Sequence, residues 1–424
     1  MTSRTPPDPT SSLIPSPASS SASVPSSFED RYSRQILFPG IGERGQKALA
    51  HARVAIIGVG ATGATSASLL ARAGVGHITL IDRDFVEPSN LQRQILFDEQ
   101  DAADSLPKAE AARRKLLAVN SSITVIAHIA DLVPANIHAL LGSAHLLLDA
   151  TDNFETRYLL NDFAVQRGIP WIYAAAVGAY AATMTILPRL PSREAPSSPE
   201  HASGPPEDAP APIPEVGILS EAEESPYLSL ATERSDASPY HPTACLACIF
   251  PKPPTGPVET CDTAGILSTA VNLAASLQVT EALKILTGQP HLLRRSLVSF
   301  DLWQPTASTR LDHAEISAAT PRPGCEVCDL RHFTHLAGTS RPHITLCGRD
   351  SVQIHEHHRP IDLAAMQRQL ANIPDLSDVR SNSLLLRFRR GPFTLTIFAD
   401  GRALIHGTTD VTVARSLYAR FLGT

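Results

Sequence analysis

The sequence predicts an α/β fold in which a Rossmann-like, mostly parallel sheet has helices on both faces, and three observations support this class. Residues 53–63 (Arg-Val-Ala-Ile-Ile-Gly-Val-Gly-Ala-Thr-Gly) have the pattern of a buried strand, a tight glycine turn and the start of an Ala- and Leu-rich helix. Residues 78–82 predict a second strand that ends in an acid. Residues 145–149 predict the fourth strand, which leads into a loop at its carboxyl end.

The glycine turn predicts a nucleotide site. Gly58, Gly60 and Gly63 have no Cβ atoms, so backbone N–H groups can approach an anion at the positive end of the following helix. Asp82 stands at about the usual twenty-residue distance from these glycines, where a carboxylate can accept hydrogen bonds from ribose hydroxyls. The same features fit a nicotinamide dehydrogenase, so they leave the reaction open.

The segment after the second strand argues against a dehydrogenase, which needs only a loop and a crossover helix there. Polar and cationic side chains crowd this segment, namely Asp84, Ser89, Asn90, Arg93 and Gln94. The planar guanidinium of Arg93 suits phosphate oxygens. Lys108 opens a helix predicted over 109–117, where the helix dipole does not favour a cation, so its position favours an anionic partner. The alternative is a lysine on a solvated helix face.

The tripeptide Thr151-Asp152-Asn153 follows the fourth strand, at the edge where open α/β sheets bind ligands. Asp152 is placed to hold a Mg²⁺ ion that bridges nucleotide phosphates, because this ion prefers oxygen ligands. The alternative is an N-cap for the helix predicted over 154–167, which any of the three residues can supply. Taken alone, the tripeptide favours the cap.

Four of the six cysteines form two C-x-x-C pairs, Cys245 with Cys248 and Cys325 with Cys328. Four thiolates in two such pairs suit a tetrahedral structural Zn²⁺, although the pairs lie farther apart than in a compact zinc finger. Redox-active or unpaired thiols are the alternative. No secretory signal or membrane-spanning run is visible, so we expect a cytoplasmic protein, where reducing conditions favour metal binding over disulfides.

Several of these motifs, in this order, resemble the ThiF/MoeB/HesA family, the prokaryotic group similar to ubiquitin-activating enzymes. The resemblance runs from about Asp30 to Asp329. It is carried by Arg31-Tyr32-Ser33-Arg34-Gln35, the glycine turn, residues 89–94, Lys108, Thr151-Asp152-Asn153 and the two C-x-x-C pairs. It implies ATP-dependent adenylation of the C-terminal glycine carboxylate of a ubiquitin-fold sulfur-carrier protein with a Gly-Gly tail. In that reaction the carboxylate attacks the α-phosphate and pyrophosphate leaves.

The resemblance also implies roles for single residues. Asp152 would bind Mg²⁺ and phosphate, Asp82 would bind the ribose, and Asn90, Arg93 and Lys108 would grip the triphosphate. The four paired cysteines would bind a structural Zn²⁺ ion.

Two further residues have a family role and an ordinary alternative. Arg34 resembles an arginine that in this family reaches into the active site of the other subunit of a homodimer; otherwise it is a surface residue on a flexible arm. Cys261 resembles a cysteine that some relatives use for a thioester or an acyl disulfide. It precedes a helix predicted over 266–286, whose dipole would lower the thiol pKa, whereas Asp262 would oppose that shift. A packed thiol is its alternative.

One departure from the family keeps other functions open. Ala61 and Thr62 stand where relatives commonly have further glycines, and either side chain can move the backbone away from a nucleotide. A non-catalytic carrier-binding scaffold is therefore an alternative, as is the dehydrogenase. Relatives that activate a modified tRNA base generally lack the zinc pairs, which argues against that class.

Composition divides the chain into segments. The net charge of −6 gives no basic footprint for nucleic acid. Residues 1–27, rich in Ser, Pro and Thr, predict a disordered tail. Residues 28–330 predict the adenylyltransferase-like domain, which a long, mobile, Pro-rich insertion over 190–243 interrupts at the place of the family's crossover loop. Residues 339–424 predict a separate small α+β module of unknown role, whose excess of arginines suggests a docking face for an acidic carrier.

Overall fold

Two sheets organise the protein. The computed structural model describes residues 28–190, 241–252, 261, 263–303, 312–338, 345–346, 351–354, 361–381, 385–399, 401 and 403–422. The predicted disordered tail over 1–27 lies outside the described residues, as does nearly all of the predicted mobile insertion over 190–243.

Helices and strands alternate through the first part of the chain. In order they are α1 (Phe28–Ile36), α2 (Gly42–His51), β1 (Arg53–Ile57), α3 (Ala61–Ala73), β2 (His77–Ile81), α4 (Glu99–Ala103), α5 (Lys108–Val119), β3 (Thr124–His128), α6 (Ile137–Leu141), β4 (Leu146–Asp149), α7 (Phe154–Arg167), β5 (Trp171–Val177), β6 (Tyr180–Ile186), α8 (Leu246–Ile249), α9 (Ser268–Leu286), β7 (Ser296–Asp301) and β8 (Asp312–Ser317). Short 3-10 turns lie at Pro88–Asn90 and Pro290–Leu292.

The large sheet has the strand order β3-β2-β1-β4-β5-β6-β7-β8. The first five strands of this order, from β3 through β5, are parallel to one another. Strands β6, β7 and β8 continue the sheet in antiparallel pairs. Val54 of β1 pairs with Ile78 of β2 on one side and with Leu146 of β4 on the other. The direction of winding therefore reverses between β1 and β4, and open α/β sheets bind ligands at the carboxyl ends of the strands at such a point.

Successive residues of the central strands pack on opposite faces of the sheet. Val54 and Ile56 of β1 belong to a buried cluster that α3, α5 and α9 complete, whereas Ala55 and Ile57 belong to a second cluster completed by α6 and α7. A parallel sheet covered on both faces requires nearly continuous apolar strands, as the sequence of β1 shows. The predicted fold class is confirmed.

Element bounds differ from the predictions by a few residues. Helix α5 begins at Lys108 and α7 spans 154–167, as predicted. Helix α9 begins at Ser268 rather than Ile266, because Ile266 forms a β-bridge with Gly178 and its backbone is extended.

The second sheet is antiparallel and lies in the C-terminal part of the chain. Its elements are β9 (Thr345–Leu346), β10 (Ser351–Ile354), α10 (Leu363–Leu370), β11 (Ser377–Ser381), β12 (Leu385–Arg390), β13 (Phe393–Phe398), β14 (Ala403–His406) and α11 (Val411–Leu422), and the strand order is β11-β12-β13-β14-β10-β9. Apolar residues of α10 and α11 close one buried cluster with the sheet. The predicted α+β character is confirmed, and its boundary near residue 339 stays a prediction.

No helix in the described part of the chain is both long enough and apolar enough to span a bilayer.

Candidate nucleotide site and four-cysteine cluster

A cavity of about 560 Å³ lies at the carboxyl ends of β1, β2, β4 and β5. The turn after β1, the end of β2, the loop after β4 and the second half of β5 form its walls. Its volume is within the range of about 300–1,000 Å³ that small-molecule sites occupy. The cavity therefore coincides with the position at which the topology predicts a ligand.

Two of the predicted glycines are required by the backbone of the turn. Gly58 has a φ of +87°, and a Cβ atom there would lie 2.6 Å from the carbonyl oxygen of Ala150. A Cβ atom on Gly63 would lie 1.9 Å from the carbonyl oxygen of Gly58. These glycines let the turn fold back on itself and touch the end of β4. A Cβ atom on Gly60 would have only the amide of Gln94, 3.8 Å away, as a near neighbour, so this glycine leaves space open.

Asp82, at the end of β2, supports the glycine turn from below. One carboxylate oxygen accepts a hydrogen bond from the backbone N–H of Val59 at 2.6 Å, and the other accepts one from the N–H of Asp84 at 2.7 Å. Burial raises the pKa of Asp82, and Lys108 acts against that rise. The carboxylate lines the cavity and retains free lone pairs, so its contact with a ribose stays a prediction.

Lys108 is buried, which overturns the solvated-face alternative. Its side chain is 2% exposed, its Nζ lies 3.2 Å from a carboxylate oxygen of Asp84, and it lines the cavity. The backbone N–H of Lys108 also donates to the carbonyl of Asp84 at 2.8 Å, which places the start of α5 beside the end of β2. Burying an ammonium group requires such a partner.

Arg93 brings a second cation to the cavity. Its guanidinium donates to the carbonyl oxygen of Ser89 at 2.7 Å and lies 3.9 Å from the Cys261 sulfur. Within the described residues, no carboxylate forms an ion pair with it. Beside it, Gln94 lines the cavity, and its amide oxygen is buried without a hydrogen-bond donor from the described part of the chain.

Besides Gly63 of the turn, three residues predicted for the nucleotide site lie outside the cavity lining. Asn90 is buried, and its side-chain oxygen accepts from the backbone N–H of Glu87 at 3.1 Å, so it stabilises the turn that leads to Arg93. Ser89 contributes its carbonyl oxygen to Arg93 rather than its hydroxyl group to the cavity. Arg34 is exposed on α1 and does not reach the cavity of its own chain. Direct roles for these three residues stay predictions.

In the loop after β4, Asn153 caps the next helix and the carboxylate of Asp152 stays available to a ligand. The side chain of Asn153 accepts from the N–H of Thr156 at 2.8 Å and caps α7. Asp152 is exposed, lines the cavity and makes no side-chain hydrogen bond with the described residues. The N-cap alternative for Asp152 is therefore replaced by a carboxylate that faces the cavity and is available to a ligand.

Two cavity-lining arginines were not predicted from the sequence. Arg157 of α7 pairs with Asp149 at 3.0 Å and donates to the carbonyl of Thr151 at 2.6 Å, which fixes the loop that carries Asp152. Arg83 pairs with Asp131 at the far side of the cavity. An acid at the end of β4 followed by an arginine in the first turns of α7 is a signal that would have found the first pair.

Gln278 was also missed. It is fully buried, and its amide donates to the carbonyls of Asp149 at 2.7 Å and Ile172 at 2.8 Å. It therefore joins α9 to the end of β4 and the start of β5. A polar residue in the middle of the apolar helix α9 is a recognisable signal, because burying an amide costs free energy unless it is hydrogen-bonded.

Cys261 lines the cavity, and its sulfur lies beside the Arg93 guanidinium. Since α9 begins only at Ser268, the arginine rather than the helix dipole is the positive group that the structure places at the sulfur. Asp262, the predicted opposing charge, lies outside the described residues. The covalent role of the thiol stays a prediction beside its packed alternative.

The two C-x-x-C pairs come together as one cluster. The four sulfur atoms of Cys245, Cys248, Cys325 and Cys328 all lie within 4.8 Å of one another. Adjacent pairs are separated by 3.8 Å (Cys245 to Cys248), 3.7 Å (Cys245 to Cys325) and 3.4 Å (Cys248 to Cys328). Four sulfurs about 2.3 Å from a central Zn²⁺ form a tetrahedron with edges of about 3.8 Å. The cluster thus has the dimensions of a structural zinc site.

Comparisons with known proteins place the chain among known relatives. The ThiF family profile matches residues 32–327. The sulfur carrier protein ThiS adenylyltransferase of Bacillus subtilis (strain 168) is 38% identical over 396 residues, which cover 93% of this chain and 99% of that protein. The SAMP-activating enzyme E1 of Haloferax volcanii is 30% identical over 300 residues, which cover 70% of this chain and 88% of that protein. A solved structure of E. coli MccB with ATP matches 71% of this chain and 75% of that chain, at 21% identity and a TM-score of 0.49.

Proposed function

Since the chain belongs to the ThiF family, we propose that it uses ATP to adenylate the C-terminal glycine carboxylate of a ubiquitin-like sulfur-carrier protein and releases pyrophosphate. The relative from B. subtilis is named for ThiS and aligns over nearly its full length, so a ThiS-like carrier with a Gly-Gly tail is the first substrate to test.

The observation that carries this proposal is the convergence of three groups in one cavity. Arg93, Lys108 and Asp152 come from three separate segments of the chain and all line the cavity at the reversal between β1 and β4. A nucleoside triphosphate with its metal ion requires such a set: two cations for the phosphates and a carboxylate for the metal. A hydride transfer to nicotinamide has no need for them.

The reaction forms one bond and breaks one. A glycine carboxylate oxygen of the carrier attacks the α-phosphorus of ATP, and the bond from that phosphorus to the bridging oxygen of the β-phosphate breaks. The bond's electron pair leaves with pyrophosphate, and an acyl-adenylate of the carrier remains. The protein contributes position and charge stabilisation, because the attacking and leaving oxygens must be in line.

Arg93 suits the charge on the phosphates. Its guanidinium makes one hydrogen bond to a carbonyl oxygen and keeps other N–H groups for a ligand. Lys108 is already paired with Asp84, so a phosphate would share or replace that partner. Arg93 thus brings a cation that forms no ion pair with the described residues, and Lys108 brings one that would exchange Asp84 for a phosphate.

Mg²⁺ fits the carboxylate of Asp152, which is free of the helix cap and faces the cavity. Bound there with the nucleotide, the ion would neutralise phosphate charge. We also propose that the four-cysteine cluster binds Zn²⁺, since its sulfur spacing fits that ion. Four thiolate ligands suit a reducing compartment, so a cytoplasmic location is proposed with it.

Arg34 is proposed to act across a homodimer. It is exposed and does not reach the cavity of its own chain, so a contribution to catalysis requires a second subunit. Arginines supplied across an interface are worth about 10³–10⁵ in rate in other phosphoryl-transfer systems.

ATP–pyrophosphate exchange with a panel of Gly-Gly-tailed carriers tests the proposed function. We expect exchange with one carrier, and loss of exchange when the carrier lacks its last glycine. Asp152→Ala should abolish exchange, and Asp104→Ala, which replaces a carboxylate outside the cavity lining, should leave it unchanged. Exchange that persists in the Asp152→Ala protein would remove that residue from its role. Carrier binding without exchange would favour the scaffold alternative.

A further inference from the structure

The C-terminal sheet packs against the loop that supplies the nucleotide site. Phe85, four residues after the end of β2, is 4% exposed and forms a buried cluster with Leu385, Phe398 and Leu404 of the C-terminal sheet. The domain of the large sheet and the domain of the C-terminal sheet therefore contact each other at the ring of Phe85.

Arg387 of β12 makes two contacts with the same loop. Its guanidinium lies over the Phe85 ring, 4.3 Å from the centroid, and 3.8 Å from a carboxylate oxygen of Glu87. The guanidinium therefore joins one aromatic and one acidic residue that are two positions apart in the loop.

Both contacted residues are directly connected to groups in the cavity. Phe85 follows Asp84, the partner of Lys108, and forms a β-bridge with Pro107, the residue before Lys108. The C-terminal sheet thus lies against the bridge that brings Asp84 and Lys108 together.

Glu87 leads to Arg93. The backbone N–H of Glu87 donates to the side chain of Asn90, which holds the turn at Pro88–Asn90. The backbone of that turn positions Arg93, whose guanidinium donates to the Ser89 carbonyl. A shift of Glu87 would therefore move Arg93, the cavity cation that forms no ion pair with the described residues.

We propose that the C-terminal sheet is a positioning element for the nucleotide site, and that Arg387 is the residue through which it holds Phe85 and Glu87. This inference rests on the proposed function, since it assigns the cavity to ATP. Arg387 touches no part of the cavity and acts only by fixing the loop between β2 and α5. The same contact makes the two domains cooperate, because a nucleotide that orders the loop also strengthens the docking of the sheet.

Arg389 provides a matched control. It is the next residue on the same side of β12 and lines the same cleft between the domains, but it is exposed and forms no ion pair with Glu87 in the described part of the chain. Removing Arg389 takes away the same charge and a similar side chain without the contacts to Phe85 and Glu87.

The test measures the binding of ATP and its use in the exchange reaction, with three full-length variants: Arg387→Ala, Arg387→Lys and Arg389→Ala. Direct calorimetric titration with Mg²⁺ and ATP gives the affinity, and ATP–pyrophosphate exchange gives the KM for ATP and the rate at saturation. We expect Arg387→Ala to weaken ATP binding and raise this KM about three- to tenfold, the scale of a partly buried cation–π contact with an ion pair. The saturated rate should change by less than about twofold, because the reacting groups remain in place.

Arg387→Lys should recover part of the affinity, since an ammonium group can lie over the ring and pair with Glu87. Arg389→Ala should match the wild type. If Arg387→Ala lowers stability in a thermal melt, Glu87→Gln, on a half-exposed side chain, replaces it and should weaken ATP binding in the same direction.

Equal ATP affinities for Arg387→Ala, Glu87→Gln and Arg389→Ala would overturn the proposal. Exchange that fails with every carrier while ATP still binds would reject the proposed function and leave the affinity comparison to decide this inference. A wild-type protein that does not bind ATP would overturn both.

Discussion

The two sides of helix α7 are built with different interactions. Towards the cavity, Arg157 pairs with the carboxylate of Asp149 at 3.0 Å. Towards the cysteine cluster, Tyr158 donates to the carbonyl of Phe250 at 2.6 Å, and Asn161 accepts from the N–H of Leu246 at 2.9 Å. Arg157 also donates to the backbone carbonyl of Thr151, so both sides bond backbone groups, but only the cavity side carries a charged side chain, Asp152, that lines a cavity and is available to a ligand. The cluster side is therefore scaffold, and the cavity side is where binding can occur.

The largest effect should come from the scaffold side, when a zinc ligand is removed. Cys325→Ser takes a buried thiolate from the cluster, and we expect loss of the bound metal and a fall of about 4 kcal/mol or more in the free energy of unfolding, because structural zinc sites contribute folding energy directly. Metal analysis and chemical denaturation measure the two quantities. Cys261→Ser, outside the cluster, is the control and should retain the metal. A metal-free wild-type protein of unchanged stability would refute the zinc assignment.

Two glycines of the turn should separate folding from binding. Gly63→Ala places a methyl group 1.9 Å from the Gly58 carbonyl, so we expect a loss of about 3 kcal/mol or more in stability. Gly60→Ala meets no atom closer than 3.8 Å, so stability should change by about 1 kcal/mol or less, while the methyl group in the cavity weakens ATP binding. Thermal unfolding and ATP titration of both variants check this. Similar stability losses in the two would contradict the geometry of the turn.

On the cavity side, replacing Arg93 should affect the reaction and leave the fold intact. We expect Arg93→Ala to lower ATP–pyrophosphate exchange about 10²–10³-fold, the usual effect of losing one positioned donor to developing charge. Arg113→Ala is the control, because Arg113 pairs on the helix surface with Glu110 and does not line the cavity. An exchange rate for Arg93→Ala within about threefold of the control would mean that another cation grips the phosphates.

A pH-dependent effect concerns Asp162, an acid of α7 on the cluster side. Its carboxylate accepts N–H groups of His335 and Leu336, but burial raises its pKa to about 6. The folded state therefore holds the proton more tightly than the unfolded state. The resulting stability is fully present below pH 4 and is lost as the pH rises through about 6.

Asp162→Asn keeps an oxygen acceptor for both N–H groups and cannot ionise. Between pH 4 and pH 7 the wild type should lose up to about 3 kcal/mol relative to this variant, measured by denaturant unfolding at several pH values. Parallel pH profiles for the two proteins would show that Asp162 is not the titrating group.

The local pattern of the sequence determined much of the fold. Strand β1, the glycine turn and helix α7 have distinctive periodicities and end signals, and their predicted positions match the structure. The predicted start of α9 is two residues early, because Ile266 forms a bridge with Gly178, which lies in the turn between β5 and β6, far away in the chain.

The site was harder to predict than the fold for a similar reason. Sequence order placed Lys108 near a phosphate-binding segment, but only the fold shows that it is buried against Asp84. Arg157 and Gln278 each carry a local signal, but only the fold shows that their partners lie at the edge of the cavity and make them site residues. The contact of Arg387 with Phe85 joins two domains, and a single sequence holds no trace of it.

The most direct test of the central claim is a crystal structure of the protein with Mg²⁺ and a non-hydrolysable ATP analogue. We predict the nucleotide in the cavity between the glycine turn and the loop after β4, with phosphate oxygens within hydrogen-bond distance of the Arg93 guanidinium and the Lys108 ammonium group, and the metal at Asp152. A nucleotide bound elsewhere, or phosphates that contact none of these three side chains, would contradict the assignment of this cavity to adenylation.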